Sequence, residues 1–324
     1  MTRTARRRRR PADVDPPHAV TATVRDPTLS AGTRVLLAVF APLALLEANQ
    51  LYVLSTTTDR GFAWTVQPAL TAAFLGAGYG AGVVLTVLSR RAGRWAEARI
   101  GYHTVLLFTL LTLAATLLHL DRFHLAADDT APRTAAWAWV IVYVLVPPAM
   151  AAALRWQGRA DPSPAGRPLG GGLTIALAVQ GTALVGVGTA LWTSHRLRSL
   201  WPWDLTPLTA RAVGSWLVAL GLAAALTLRD RDLDHLRAPA VTYATFGALQ
   251  LGALLRFPDQ LVWHRPSAWI YAVGVSSILV VGLVGVWRAA GHSSNRRQPD
   301  TMPNTAAAAA RRRKVPIRGS SHSS

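Results

Sequence analysis

FAWTVQPALTAAFLGAGY, Phe62 to Tyr79, and WPWDLTPLTARAVGSW, Trp201 to Trp216, carry one pattern twice, about 139 residues apart. Laid over each other with one gap, they match at Trp64/Trp203, Pro68/Pro207, Leu70/Leu208, Thr71/Thr209, Ala72/Ala210 and Gly76/Gly214. Matches of Trp, Pro, Thr and Gly are hard to obtain by accident in a chain rich in Ala and Leu. Each copy reads as a short Trp-bearing loop and a Gln or Thr at the cap position. A proline follows in the first helical turn, where its missing N–H costs nothing, and then a long apolar helix. The pattern predicts an internal duplication.

Working outward from these helices, the apolar residues fall into eight blocks: Val35 to Leu54, Pro68 to Leu88, Ile100 to Leu120, Ala135 to Leu154, Gly172 to Trp192, Pro207 to Leu228, Ala238 to Phe257 and Trp269 to Trp287. Each is close to the ~20 residues that a helix rising 1.5 Å per residue needs to cross ~30 Å of hydrocarbon. The expected fold class is therefore all-α and integral to the membrane, with eight transmembrane helices. The seventh block, with Thr242, Tyr243, Thr245 and Gln250, is the least apolar. Weaker matches, such as Leu117–Phe123 with Leu254–Leu261, extend the repeat. They predict two four-helix repeats, 33–155 and 171–288, joined by a cytoplasmic linker at 156–170. Four crossings per unit make the repeats parallel, related by an axis along the membrane normal. Residues 1–32 and 289–324 read as disordered basic tails. The first apolar block is followed by no A-x-A site, so it is expected to be retained and not cleaved as a signal.

Charge orients this arrangement. Basic residues number 34 against 16 acidic, and Lys314 is the only lysine. With eight crossings, 26 of the basic residues fall on the side of the termini and 7 on the other, with Arg211 inside a span. The asymmetry predicts a plasma-membrane protein with both termini cytoplasmic. The arginine tails read as orientation signals or contacts to anionic lipid. No nucleic-acid recognition module accompanies them, so nucleic acid is not an expected partner. The absence of cysteine excludes disulfides and thiolate chemistry.

Glu47 is the only acidic residue within a span. It lies about 12 residues into the first helix, ~18 Å from the terminal side. A charge there costs ~2.5–3.5 kcal/mol, so it should face the protein interior. Asn49 follows it, and Arg211, four residues into the sixth span, is a plausible partner. One reading is a buried Glu47–Arg211 bridge between the halves, and the other is a polar site for a substrate or proton. At the 139-residue offset Glu47 corresponds to Gly186, which offers space and no charge.

Trp64 and Trp203 either belong to an aromatic belt or line an outward vestibule. His119, Asp121 and His124 form H-x-D-x-x-H near the outer end of the third span and are the only metal candidates. Five residues on a helix do not share a face, so no metal is expected, and Arg256 rather than a ligand occupies the repeat position of His119. No cofactor is expected: His103 and His119 lie at opposite ends of one span, unsuited to haem, and no phosphate loop, zinc-protease motif or nucleophile elbow occurs. Pro147 and Pro148 predict a kink in the fourth helix.

WPWDLTPLTARAVGSW, read with its earlier copy, resembles an uncharacterised family of multi-pass membrane proteins from high-GC Gram-positive bacteria. The resemblance covers most of the membrane core and neither tail, implies no activity, and carries over no functional residue. Three functions stay open. The leading one is an outward-facing cavity around Glu47, Arg211, Trp64 and Trp203 that binds or passes a small molecule or lipid. The second is an intramembrane enzyme using Glu47 or His119 as acid or base. The third is a non-catalytic assembly partner.

Overall fold

The computed structural model describes residues 27–158 and 167–293. Most of both basic tails, and linker residues 159–166, lie outside the described residues. The protein is an all-α multi-pass membrane protein with eight long apolar helices: α1 Ala31–Ala48, which continues as a π-helical turn through Asn49–Val53, α2 Ala69–Ala92, α3 Trp95–Leu117, α4 Thr130–Trp156, α5 Gly171–Thr193, α6 Pro207–Asp230, α7 Arg237–Arg256 and α8 Pro266–Ser293.

Local chemistry sets the ends. Ser30 caps α1 by accepting from the Thr33 N–H at 3.2 Å, so order begins before residue 33. Thr206 caps α6 in the same way, with Pro207 in the first turn as the sequence predicts. In the other copy Pro68 itself occupies the cap position, and the free Leu70 N–H donates across the molecule to Gln260 Oε1 at 2.7 Å. Pro147 and Pro148 both sit inside the unbroken α4, where the Tyr102 hydroxyl donates to the Met150 carbonyl at 2.9 Å.

Two helices form the centre: 78% of the apolar stretch of α2 and 67% of that of α6 are buried, against 22% for α1 and α8. α1 packs on α2 as α5 packs on α6; α2 meets α7 as α6 meets α3; α3–α4 and α7–α8 are neighbours, as are α1–α4 and α5–α8. Exchanging α1–α4 with α5–α8 carries each of these contacts into another. The seventh span, least apolar by sequence, lies inside this arrangement. Its Gln250 is fully buried, donating to the Phe74 carbonyl at 3.0 Å and accepting from the Tyr271 hydroxyl at 2.9 Å.

The matched glycines of the two motifs mark the helix crossings. A Cβ on Gly76 would collide with the backbone of Leu51 and Tyr52 in α1, and one on Gly214 would lie 2.6 Å from the Gly188 carbonyl oxygen of α5. Membrane helices gain stability from such close approach, because lipid tails are as apolar as the partner helix.

At the end of the bundle that carries residues 27 and 293, the near end, Leu29 N–H donates to the Gly93 carbonyl at 3.1 Å. Gln157 there accepts from Ser30 N–H at 2.9 Å and donates to the Thr28 carbonyl at 3.1 Å. The two Trp motifs meet at the far end, where Trp203 Nε1 donates to Thr71 Oγ1 at 2.8 Å.

Replacing Gly76 or Gly214 by Ala is expected to cost about 3 kcal/mol, the upper end for overpacking. Gly186→Ala, where a Cβ meets nothing within 4 Å, gains up to about 1 kcal/mol from helix propensity. Thermal unfolding of the three purified variants in one detergent checks the contrast.

Candidate functional site

Glu47 lies five residues after Pro42 in α1, just before the π-helical turn. It lines a cavity of about 70 Å³ between α1 and α4, closed behind by Tyr79 of α2 and Thr109 of α3. Polar groups are few here: the Tyr79 and Tyr143 hydroxyls bond to each other at 2.6 Å. Glu47 Oε2 is buried without a hydrogen-bond partner.

The bridge to Arg211 does not form. Arg211 donates to His119 Nε2, and its guanidinium lies 5.7 Å over the Trp192 ring. The reason is helix placement: α6 packs on α3 and α5, whereas α1 packs on α2 and α4, so the two side chains leave their helices toward different neighbours. His119 sits one turn past the end of α3 and not within it. Burial, with the Arg211 charge adding to it, holds its pKa below the ordinary imidazole value, which suits an acceptor for a guanidinium.

The other residues singled out by sequence also separate. His124 turns to the Phe62 carbonyl at 3.0 Å and Thr65 Oγ1 at 3.2 Å, and Asp121 pairs with Arg122 at 3.0 Å. The described residues hold no group of three or more potential metal ligands. Asn49 is exposed, and its carbonyl accepts the Leu54 N–H that closes the π-helical turn. Arg256 caps the same turn through the Tyr52 and Val53 carbonyls.

The tryptophans divide. Trp137, Trp156, Trp263, Trp269 and Trp287 are exposed at the helix ends, as a belt requires. Trp64 is buried among Phe62, Phe123 and Trp139, away from any vestibule. Trp203 is buried too, yet one side of it lines an open far-end cleft of about 490 Å³ with Gln67, Pro68, Asp204, Thr206 and Gln260.

A second lateral cavity, about 400 Å³, lies between α5 and α8 and is backed by Phe74, Leu217 and Phe246. It repeats the position of the Glu47 pocket. Ala138, Trp139, Val142, Tyr143 and Val146 of α4 line the first, and Ile270, Tyr271, Gly274, Val275 and Ile278 of α8 line the second, each pair 132 residues apart. On the facing helices Ala44 and Glu47 correspond to Leu184 and Val187, 140 residues apart. Val187, not Gly186, therefore takes the place of Glu47. The offset measured on the Trp motifs does not hold across the preceding loop, which is longer in the first half.

Sequence reasoning passed over the near-end charges. Arg99 of α3 pairs with Asp230 at the end of α6, joining the halves; His235 Nδ1 lies 3.4 Å from Asp230 Oδ2, and its Nε2 lies 4.0 Å from Asp232. The Asp230 carboxylate, helped by Asp232 and opposed by burial and Arg99, holds the His235 pKa above its ordinary value.

No protein-family model matches the chain, and no curated protein or solved structure matches it.

A histidine with a raised folded-state pKa contributes stability that is complete below its unfolded pKa of about 6.5 and is lost as pH rises through the folded value. The melting temperature of the detergent-purified protein should therefore fall between about pH 6 and about pH 9. His235→Gln should flatten this slope. A slope of the same size in the variant would show that other groups cause it.

Proposed function

We propose that this protein sits in the plasma membrane with both termini cytoplasmic, as two parallel four-helix repeats, and binds or passes a small molecule or lipid at the Glu47 pocket. The 26-to-7 partition of basic residues supports the orientation. The exchange of helix contacts between halves, and the constant 132-residue spacing of the pocket-lining positions, support the duplication.

One observation carries the functional reading: the unpartnered, buried Glu47 Oε2 in a cavity. Buried polar atoms in native structures are paired, and an exception asks for the missing partner. Within the described residues the neighbouring hydroxyls of Tyr79 and Tyr143 are spent on each other. The missing partner is then a donor from outside the chain: a hydroxyl, an amine or an ammonium on a molecule that partitions into the bilayer. α1 and α4 are peripheral, and Leu46 on the rim is 54% exposed, so entry is lateral.

Native mass spectrometry of the purified protein in mild detergent tests this. The wild type is expected to retain a stoichiometric molecule that Glu47→Gln holds at least about tenfold less well, the worth of one charge-assisted hydrogen bond, at an unchanged melting temperature. Equal retention by both proteins, or none by either, overturns the reading. A variant that does not fold makes Glu47 structural and overturns it too.

A further inference from the structure

The cavity between α5 and α8 differs from its counterpart in size and chemistry. Of its lining side chains, two bear hydroxyls, Ser267 and Tyr271, and the Tyr271 hydroxyl is engaged with Gln250. Its volume, about 400 Å³, falls within the range of ligand pockets. It opens sideways: Val187 is 43% and Ile270 72% exposed on helices that face the surroundings. The occupant of an apolar lateral chamber in a membrane protein is a hydrocarbon chain.

Two further features identify which kind. Trp201 forms part of the wall at the far end, is 9% exposed, and its Nε1–H has no acceptor. A buried donor without an acceptor is costly, so a ligand there should supply an oxygen. The two segments that frame this end are strongly basic. One is the single turn His195–Arg198, whose Leu197 lines the chamber, and the other is the approach to α8, with His264 and Arg265. Asp204 is the only acidic residue from 194 to 206, and none occurs from 261 to 269. None of Arg196, Arg198 and Arg265 forms an ion pair among the described residues.

We infer that this chamber is the binding site for one chain of an anionic glycerophospholipid. An ester or phosphate oxygen accepts from Trp201 Nε1, and the headgroup lies against the His195–Arg198 turn and Arg265. The site is independent of Glu47, and its ligand is the opposite in polarity: an acceptor-bearing anion in place of a donor.

The test titrates phosphatidylglycerol and phosphatidylcholine of identical chains onto the delipidated protein, read by native mass spectrometry. One phosphatidylglycerol per protein is expected to be retained about tenfold better than phosphatidylcholine, as charge-assisted contacts require. A Cβ on Gly274 meets nothing within 4 Å, so Gly274→Phe fills the chamber from α8 and should abolish this site. Val187→Phe fills it from α5 and serves if the first variant fails to fold. Trp201→Phe should lower retention severalfold while keeping the ring. Joint replacement of Arg196, Arg198 and Arg265 by Gln should erase the headgroup preference, and Glu47→Gln should leave all of this unchanged. Equal retention of the two lipids by the wild type would mean annular lipid only and would overturn the inference. So would a folded filling variant that retains phosphatidylglycerol like the wild type.

Discussion

Two helix crossings, at Gly76 and Gly214, govern this bundle. In a bilayer a helix gains little by exchanging lipid for an apolar neighbour, so backbone proximity decides which helices associate. Gly76 admits the backbone of α1 onto α2, and Gly214 admits that of α5 onto α6. Because α2 and α6 form the centre, these two contacts also fix where the peripheral α1 and α5 stand relative to α4 and α8. The lateral cavities are the gaps left between those peripheral pairs. A Cβ at either glycine would push a wall of a pocket outward, so close packing and pocket shape have one origin.

The same scaffold has then been filled in two ways. In the first half, Glu47, Tyr79 and Tyr143 bring polar atoms into a small pocket. In the second, Val187, Leu217 and Val275 stand at the corresponding places and the space is about 400 Å³. Gly274, opposite Val142, removes a side chain where the first half keeps one. Three polar-to-apolar exchanges and one lost side chain convert a site for a polar group into a chamber for hydrocarbon without moving a helix.

Element by element, the fold was legible in the sequence because length and hydropathy alone define a crossing. Every one of the eight blocks is a helix, including the seventh, whose Thr, Tyr and Gln residues face protein instead of lipid. Gly76 and Gly214 were visible as matches before their role as crossings was. The pairing of Glu47 with Arg211 failed because sequence gives a residue's depth along a helix but not its direction around it; two residues at compatible depths left on opposite sides. His119, Asp121 and His124 failed as a set for a related reason: the chain turns between them, so adjacency in sequence became divergence in space. The Arg99–Asp230 pair, 131 residues apart at two loop-facing helix ends, carried no local signal at all.

The polar groups inside the membrane-spanning core show why Glu47 stands apart. Gln250 is as deeply placed and equally foreign to an apolar helix, yet its amide donates to one neighbour and its carbonyl accepts from another, each from a different helix. Buried Thr86, Thr104 and Thr116 return their hydroxyl protons to carbonyls of their own helices. Each of these residues explains itself by completing the protein's own bonding. Glu47 has two tyrosine hydroxyls nearby, but they are bonded to each other, although either could have served the carboxylate. A chain that satisfies Gln250 through two helices has the means to satisfy Glu47. That it does not, beside a cavity, locates the missing partner outside the chain.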